Sequence, residues 1–108
     1  LNVIMKVLSI DGYNLKIGQN KEENEMLLDI MNSEDTWFHI RDYPSAHLWV
    51  EENYNNLTKS QIHKFALELK KSGKYRKRNH IEISYTLGKY IEYDKSTVYT
   101  NKSKTIKV

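Results

Sequence analysis

Thr58-Lys59-Ser60-Gln61-Ile62-His63-Lys64-Phe65-Ala66-Leu67-Glu68-Leu69-Lys70-Lys71-Ser72-Gly73 is the stretch on which the fold turns. Threonine followed three residues later by glutamine is a capping box, in which each side chain satisfies a backbone N–H of the opening turn. Ile62, Phe65, Ala66 and Leu69 then recur at i, i+3, i+4 and i+7, which gathers them into one apolar stripe. Gly73 stands where a helix commonly ends. One amphipathic helix needs a partner surface, and the residues on both sides of it read as strands.

Upstream, Asn2 to Leu8 is a short apolar strand, and Asp11-Gly12 signals a turn into the alternating Tyr13–Ile17. Asn20 is placed to cap a first helix whose opening holds Glu22, Glu23 and Glu25, where the helix dipole favours acid. Met26, Leu27, Ile30 and Met31 would form its apolar stripe. Trp37 to Arg41 reads as a strand, with Trp37, His39 and Arg41 on one face and Phe38 and Ile40 on the other. Tyr43-Pro44-Ser45 interrupts it, His47–Val50 is a further strand, and the Asn-rich Glu51–Leu57 is a loop. Downstream, Ile81–Tyr85, Lys89–Tyr93, Val98–Thr100 and Thr105–Val108 read as strands. The expected fold class is α+β: a mainly antiparallel sheet with two helices in a single domain over residues 1–108. The first residue, Leu1, suggests a piece of something longer.

Composition narrows the function. A chain of 108 residues buries roughly two-thirds of its unfolded surface, enough for a core without staples. Cysteine is absent, which removes disulfides, thiolate metal sites and a cysteine nucleophile. No apolar run approaches the length of a membrane span, and the opening residues lack the order of a signal peptide, so a cytoplasmic location is expected. The net charge of +3 conceals an asymmetry. Residues 1–54 hold four Lys/Arg and ten Asp/Glu, whereas residues 55–108 hold thirteen and four. A half so basic suits a polyanion, or is a solvated surface of mixed charge whose lysines partly reflect A/T-rich codons.

Two clusters carry chemistry. Lys70, Lys71, Lys74, Arg76, Lys77 and Arg78 place six cations in nine residues with no acid among them, and Tyr75 sits in their midst. Cations at a helix end complement the dipole, but this number exceeds that need. They could hold phosphates while Tyr75 stacks on a base, or simply form a solvated loop. The second cluster is Asp35-Thr36-Trp37-Phe38-His39-Ile40-Arg41 with Ser45-Ala46-His47. His39 and His47 on neighbouring strands fit an anion pocket, a metal site, a general base, or histidines simply hydrogen-bonded within a sheet. Glycine-rich phosphate loops, nucleophile elbows and His-Glu-x-x-His pairs are all absent.

Taken together, these segments resemble the NFACT-R domain, the RNA-binding domain of ribosome quality-control factors of the NEMF and RqcH type. The resemblance runs through Ile17-Gly18-Gln19-Asn20 with Glu23-Asn24-Glu25, Asp35-Thr36-Trp37-Phe38-His39, and Pro44-Ser45-Ala46-His47-Leu48. It continues through Phe65-Ala66 to Lys71-Ser72, Ile83-Ser84-Tyr85, Lys89-Tyr90-Ile91, and Val98-Tyr99 to Thr105-Ile106-Lys107-Val108. Ser45-Ala46 replaces the family's Gly-Ser, a variant similar to the standalone branch of coiled-coil-domain-containing proteins. Lys95-Ser96-Thr97 stands in place of its Pro-Gly.

The resemblance implies an RNA-contacting module near translation rather than an enzyme, with no cofactor. It implies that His39, Arg41 and His47 line a polar surface beside Trp37, that Asn24 bridges the first helix to it, and that Asp35 belongs to the same motif. The run 70–78 would supply phosphate contacts. The expected ligand is structured RNA such as tRNA or rRNA, with DNA a further candidate and the ribosome a candidate partner. Two rival readings are a protein-interaction domain using the acidic half, and a small hydrolase built on His39 and His47.

Overall fold

Asp11 and Gly12 both take positive φ, 53° and 82°, the geometry of a two-residue turn whose twist matches the strands it joins. It connects β1 (Lys6–Ile10) to β2 (Tyr13–Gly18), with Ile10 opposite Tyr13. The computed structural model describes residues 5–94 and 97–108. The expected opening strand therefore begins, at Asn2 to Ile4, outside the described residues, and Lys95 and Ser96 of the family comparison also lie outside them. Within them, β1 runs two residues beyond the expected Leu8.

Next come α1 (Lys21–Ile30), β3 (Thr36–Ile40), β4 (His47–Val50), α2 (Lys59–Lys71) and β5 (Glu82–Leu87). β6 (Ile91–Asp94), β7 (Thr97–Thr100) and β8 (Lys104–Lys107) follow. Six strands form one sheet in the order β1-β2-β4-β3-β5-β8, every pairing antiparallel, and β6 and β7 form a separate two-stranded ribbon. The α+β class and the mainly antiparallel sheet with two helices are as expected.

The alternation of β3 divides the sheet into two faces. Ile17, Leu48, Phe38 and Tyr85 lie in one cross-strand row, and Ile40, Ile83 and Ile106 in another. α2 covers this face. Thr58 and Gln61 make the anticipated capping box, and Ile62, Phe65, Ala66 and Leu69 are buried. The Phe65 ring meets Phe38 and Tyr13 edge-on at 6.5 and 6.1 Å. A fully buried Phe of this kind contributes roughly 1.5–3 kcal/mol. Lys64 binds the Asp11 carboxylate at 3.1 Å, fastening the helix to the β1–β2 turn. Ser72 ends α2. Gly73 follows it without a left-handed φ, so the helix stop does not depend on glycine there.

Three expectations shift. In α1 the buried residues are Glu23, Leu27 and Leu28, while Ile30 is 44% exposed. The stripe expected from Met26, Leu27, Ile30 and Met31 is thus rotated, because the helix packs on the bare backbone of Gly18 in β2. A Cβ at Gly18 would collide with the Asn24 side chain and lie 3.0 Å from both the Asn24 nitrogen and the Glu23 carbonyl carbon. The strand expected from Lys89 starts only at Ile91, since Gly88 and Lys89 donate backbone N–H groups to Asp35 and Ser33 and fold into a 3-10 turn. Glu51–Leu57 contains a 3-10 turn at Tyr54–Asn56 that buries Tyr54 against Tyr85. No helix of the described residues is long and apolar enough to cross a membrane.

Candidate functional site

The opposite face of the sheet carries the polar aromatics. Register places Lys16, Trp49, Trp37 and Thr86 in one row across β2, β4, β3 and β5, and Gly18, His47, His39 and Ser84 in the next. Trp37 stacks on His39 at 5.5 Å with the planes 2° apart. His47 stands edge-on to both, at 5.3 Å from Trp37 and 5.1 Å from His39. Lys16 sits 4.7 Å from the centre of the Trp49 ring. The two histidines and Trp37, read from the sequence as neighbours, are brought together.

Asn24 joins this group from α1. Its Oδ1 accepts the His47 backbone N–H at 3.1 Å. The close approach of α1 to Gly18 puts it there, and Asn20 fixes the start of the helix by accepting the Glu23 N–H at 2.9 Å. Glu23 in turn accepts from the Gln19 N–H and the Asn20 amide. The sequence Gly-Gln-Asn-x-x-Glu-Asn is therefore one docking device.

Burial governs the histidine chemistry. Desolvation lowers His39, and desolvation with repulsion from His39 takes His47 down to about 3. His47 is therefore neutral at pH 7, and burial biases His39 toward its neutral form, which disfavours a cationic anion-binding role. Among the described residues the buried Trp37 Nε1, Trp49 Nε1 and His47 Nδ1 have no hydrogen-bond partner. No three His, Cys, Asp or Glu side chains converge among those residues.

The histidine pair opens at one end of the sheet into a cleft of about 600 Å³. Asn24 and Glu25 of α1, His39 and His47, and Leu69 and Tyr75 beyond the sheet are among its walls. The turn from β3 to β4 forms its floor. There Ser45 accepts the Ile40 N–H at 3.1 Å and donates to the Ala46 carbonyl at 2.9 Å, and Asp42 takes φ 65°. Val98 of the ribbon also borders it, and the ribbon is anchored by the Tyr93 hydroxyl donating to Asp29 of α1.

The basic run divides in two. Lys70 is buried and its ammonium donates to the Val108 carbonyl at 3.3 Å, so it belongs to the fold rather than to a ligand surface. Lys71 is exposed and reaches Glu68 at 3.7 Å. Lys74, Arg76, Lys77 and Arg78 are exposed, and among the described residues none is in an ion pair. Lys74 and Tyr75 border the cleft directly. Tyr75 lies 5.1 Å from Tyr43, Lys74 stands over Tyr75 and Arg78 over Tyr43, each at 5.5 Å.

Two expected members fall elsewhere. Arg41 is on the anticipated face but turns to Glu82 at 3.2 Å and Asp42 at 3.8 Å, and does not line the cleft. Asp35 is buried at the opposite end of β3, where it accepts the Asn32 N–H at 2.9 Å and holds a turn. Sequence reasoning missed Tyr43 and Val98. Neither belongs to a local pattern, since Tyr43 meets a partner far along the chain and Val98 arrives on the ribbon. It also missed a second group of cations on aromatics, Lys89 and Lys102 at 5.6 Å from Tyr90 and Lys104 at 5.0 Å from Tyr54.

No protein-family model matches the chain, and no curated protein matches it in sequence. The fold is shared with a solved structure, the C-terminal part of the fibronectin/fibrinogen-binding protein from Streptococcus suis. The TM-score is 0.84 at 21% sequence identity, over 96% of this chain and 44% of the other. The present chain thus spans less than half of that neighbour's length, and the likeness is one of fold.

Proposed function

We propose that this chain is a nucleic-acid-binding module for structured RNA of the tRNA or rRNA class, acting in the cytoplasm near translation or ribosome-associated quality control, and not an enzyme. The observation that carries this reading is the set of exposed cations at Lys74, Arg76, Lys77 and Arg78, without acid partners among the described residues, beside the Tyr43–Tyr75 pair at the cleft. Unpaired cations exchange their counterions for phosphates, and aromatic rings next to them accept bases. The resemblance to the NFACT-R domain points the same way from other residues. Shape rather than sequence would guide recognition of a double-stranded portion.

Fluorescence anisotropy with tRNA, an RNA duplex and a DNA duplex tests it. With about five phosphate contacts, counting Lys71, affinity should fall by roughly two to three orders of magnitude between ~50 and ~200 mM salt. A variant with Lys74, Arg76, Lys77 and Arg78 changed to Glu should lose binding. Preference for DNA would move the ligand class, and absence of RNA binding at low salt would overturn the reading. The neighbour's description as a fibronectin/fibrinogen-binding protein favours one alternative, a protein-interaction domain that docks on a ribosome or another partner. It predicts a protein complex that survives the same rise in salt.

A further inference from the structure

Outside the charged turn, the cleft has features that phosphate binding does not use. Its walls include the apolar side chains of Leu28, Ile40, Leu69 and Val98, and its volume is in the range of pockets that enclose a small planar molecule. At its back lie polar groups without charge. His47 is 8% exposed with Nδ1 unpartnered among the described residues, and the Asn24 amide, fixed through Oδ1, keeps Nδ2 outside every hydrogen bond among them. His39 lies beside them, braced flat against Trp37. Tyr75 supplies an aromatic wall. Its charged lining residues are Lys21 and Glu25 of α1, opposite in sign, and Lys74, which leads into the cationic turn.

A lining that joins neutral polar groups, a buried His47 among them, to an exposed Lys74 fits a nucleotide better than a phosphate alone. We propose that the cleft takes a single unpaired nucleobase of the bound RNA, with its flanking phosphates on Lys74 and the turn to Arg78. The proposal rests on the RNA-binding reading above and deepens it. A stacked base pair cannot enter a cleft of this form, whereas a bulged or terminal nucleotide can swing out and present its edge to Asn24 and the histidines and its face to Tyr75. The neutral His47 imidazole supports this, because it offers one donor and one acceptor in place of a charge, and burial favours the same form of His39.

The test compares a short blunt RNA duplex with the same duplex carrying one bulged 2-aminopurine nucleotide, by anisotropy and by 2-aminopurine emission. Wild type should bind the bulged duplex about tenfold more tightly, the value of one stacked base, with a change in emission on binding. Val98→Trp, a strand-compatible plug, and Glu25→Phe, a second plug from the helix side, should abolish that preference, with blunt duplex bound as by wild type in the first and at least as tightly in the second, which loses a carboxylate. Circular dichroism identifies any plug variant that fails to fold, and the other plug then decides. Equal affinity of wild type for the two duplexes overturns the proposal but leaves RNA binding standing. So does a preference that persists in a folded plug variant. Failure to bind either duplex or tRNA overturns both.

Discussion

Replacing Gly18 with alanine should unseat α1. The new Cβ would overlap the Asn24 side chain and approach the helix backbone to 3.0 Å at two atoms. Backbone cannot move aside as a flexible side chain can, so the helix must shift, at about 1–3 kcal/mol for overpacking. The bond from the His47 N–H to Asn24 is lost with it, costing ~0.5–1.5 kcal/mol. Alanine returns about 0.4–1 kcal/mol by restricting the unfolded chain. The net loss is about 2–3 kcal/mol. For 108 residues, an unfolding entropy of about 2.1 cal/mol/K per residue converts this to a fall in Tm of ~10 °C. Thermal unfolding followed by circular dichroism measures it. Gly73→Ala is the control: nothing lies within 4 Å of its Cβ and its φ is unstrained, so Tm should hold or rise by a few degrees, about 2–4. Asn24→Ala should cost less in the Gly18→Ala background than in wild type, because part of the collision disappears with the amide. A Gly18→Ala protein melting within ~2 °C of wild type would refute the close approach of helix to strand.

Two more outcomes follow from the same geometry. His47 sits at about 3 in the fold, whereas in the unfolded chain it titrates near 6.5; the unfolded state therefore binds the extra proton, and stability is complete above about pH 6.5 and declines as pH falls toward 3. The slope is about 1.4 kcal/mol per pH unit for one such group, with His39 acting in the same direction, and urea unfolding between pH 7 and 4.5 should show it reduced in His47→Gln. Lys70→Met should leave the salt dependence of RNA binding unchanged, because its ammonium is held by the Val108 carbonyl, whereas Lys77→Glu should weaken binding and flatten that dependence by about one phosphate contact; titration of both variants decides it.

Elements governed by local rules were legible in the residues alone. The capping box at Thr58, the stripe of α2 and the two faces of β3 depend on neighbours within a few positions, and each stands where its pattern placed it. What escaped depends on distant partners. The buried side of α1 is chosen by the missing Cβ of Gly18, which no helical periodicity records. Lys70 reads as one more cation of a run, yet its place one turn after Ala66 sinks its stem and brings it to the chain's last residue. Arg41 and Asp35 shared a motif with His39 but are drawn off by Glu82 and by the Asn32 N–H. Of the candidate site, the histidine pair and its tryptophan were readable from strand alternation. The cleft was not, since its walls come from both helices, the β3–β4 turn and the ribbon.

The chain has two tryptophans, and both stand in adjacent strands on the face away from α2. Val98 of the β6–β7 ribbon borders a small cavity together with Trp37 and the histidines, and a two-stranded ribbon has little stability of its own. An event that lifts the ribbon opens this cavity beside Trp37, and a move of tryptophan emission to longer wavelength would report it, while α2 and the opposite face carry no tryptophan. The protein thus carries an intrinsic optical gauge for the side of the sheet where its histidines lie, readable in unlabelled material and in the presence of any ligand that does not itself absorb there.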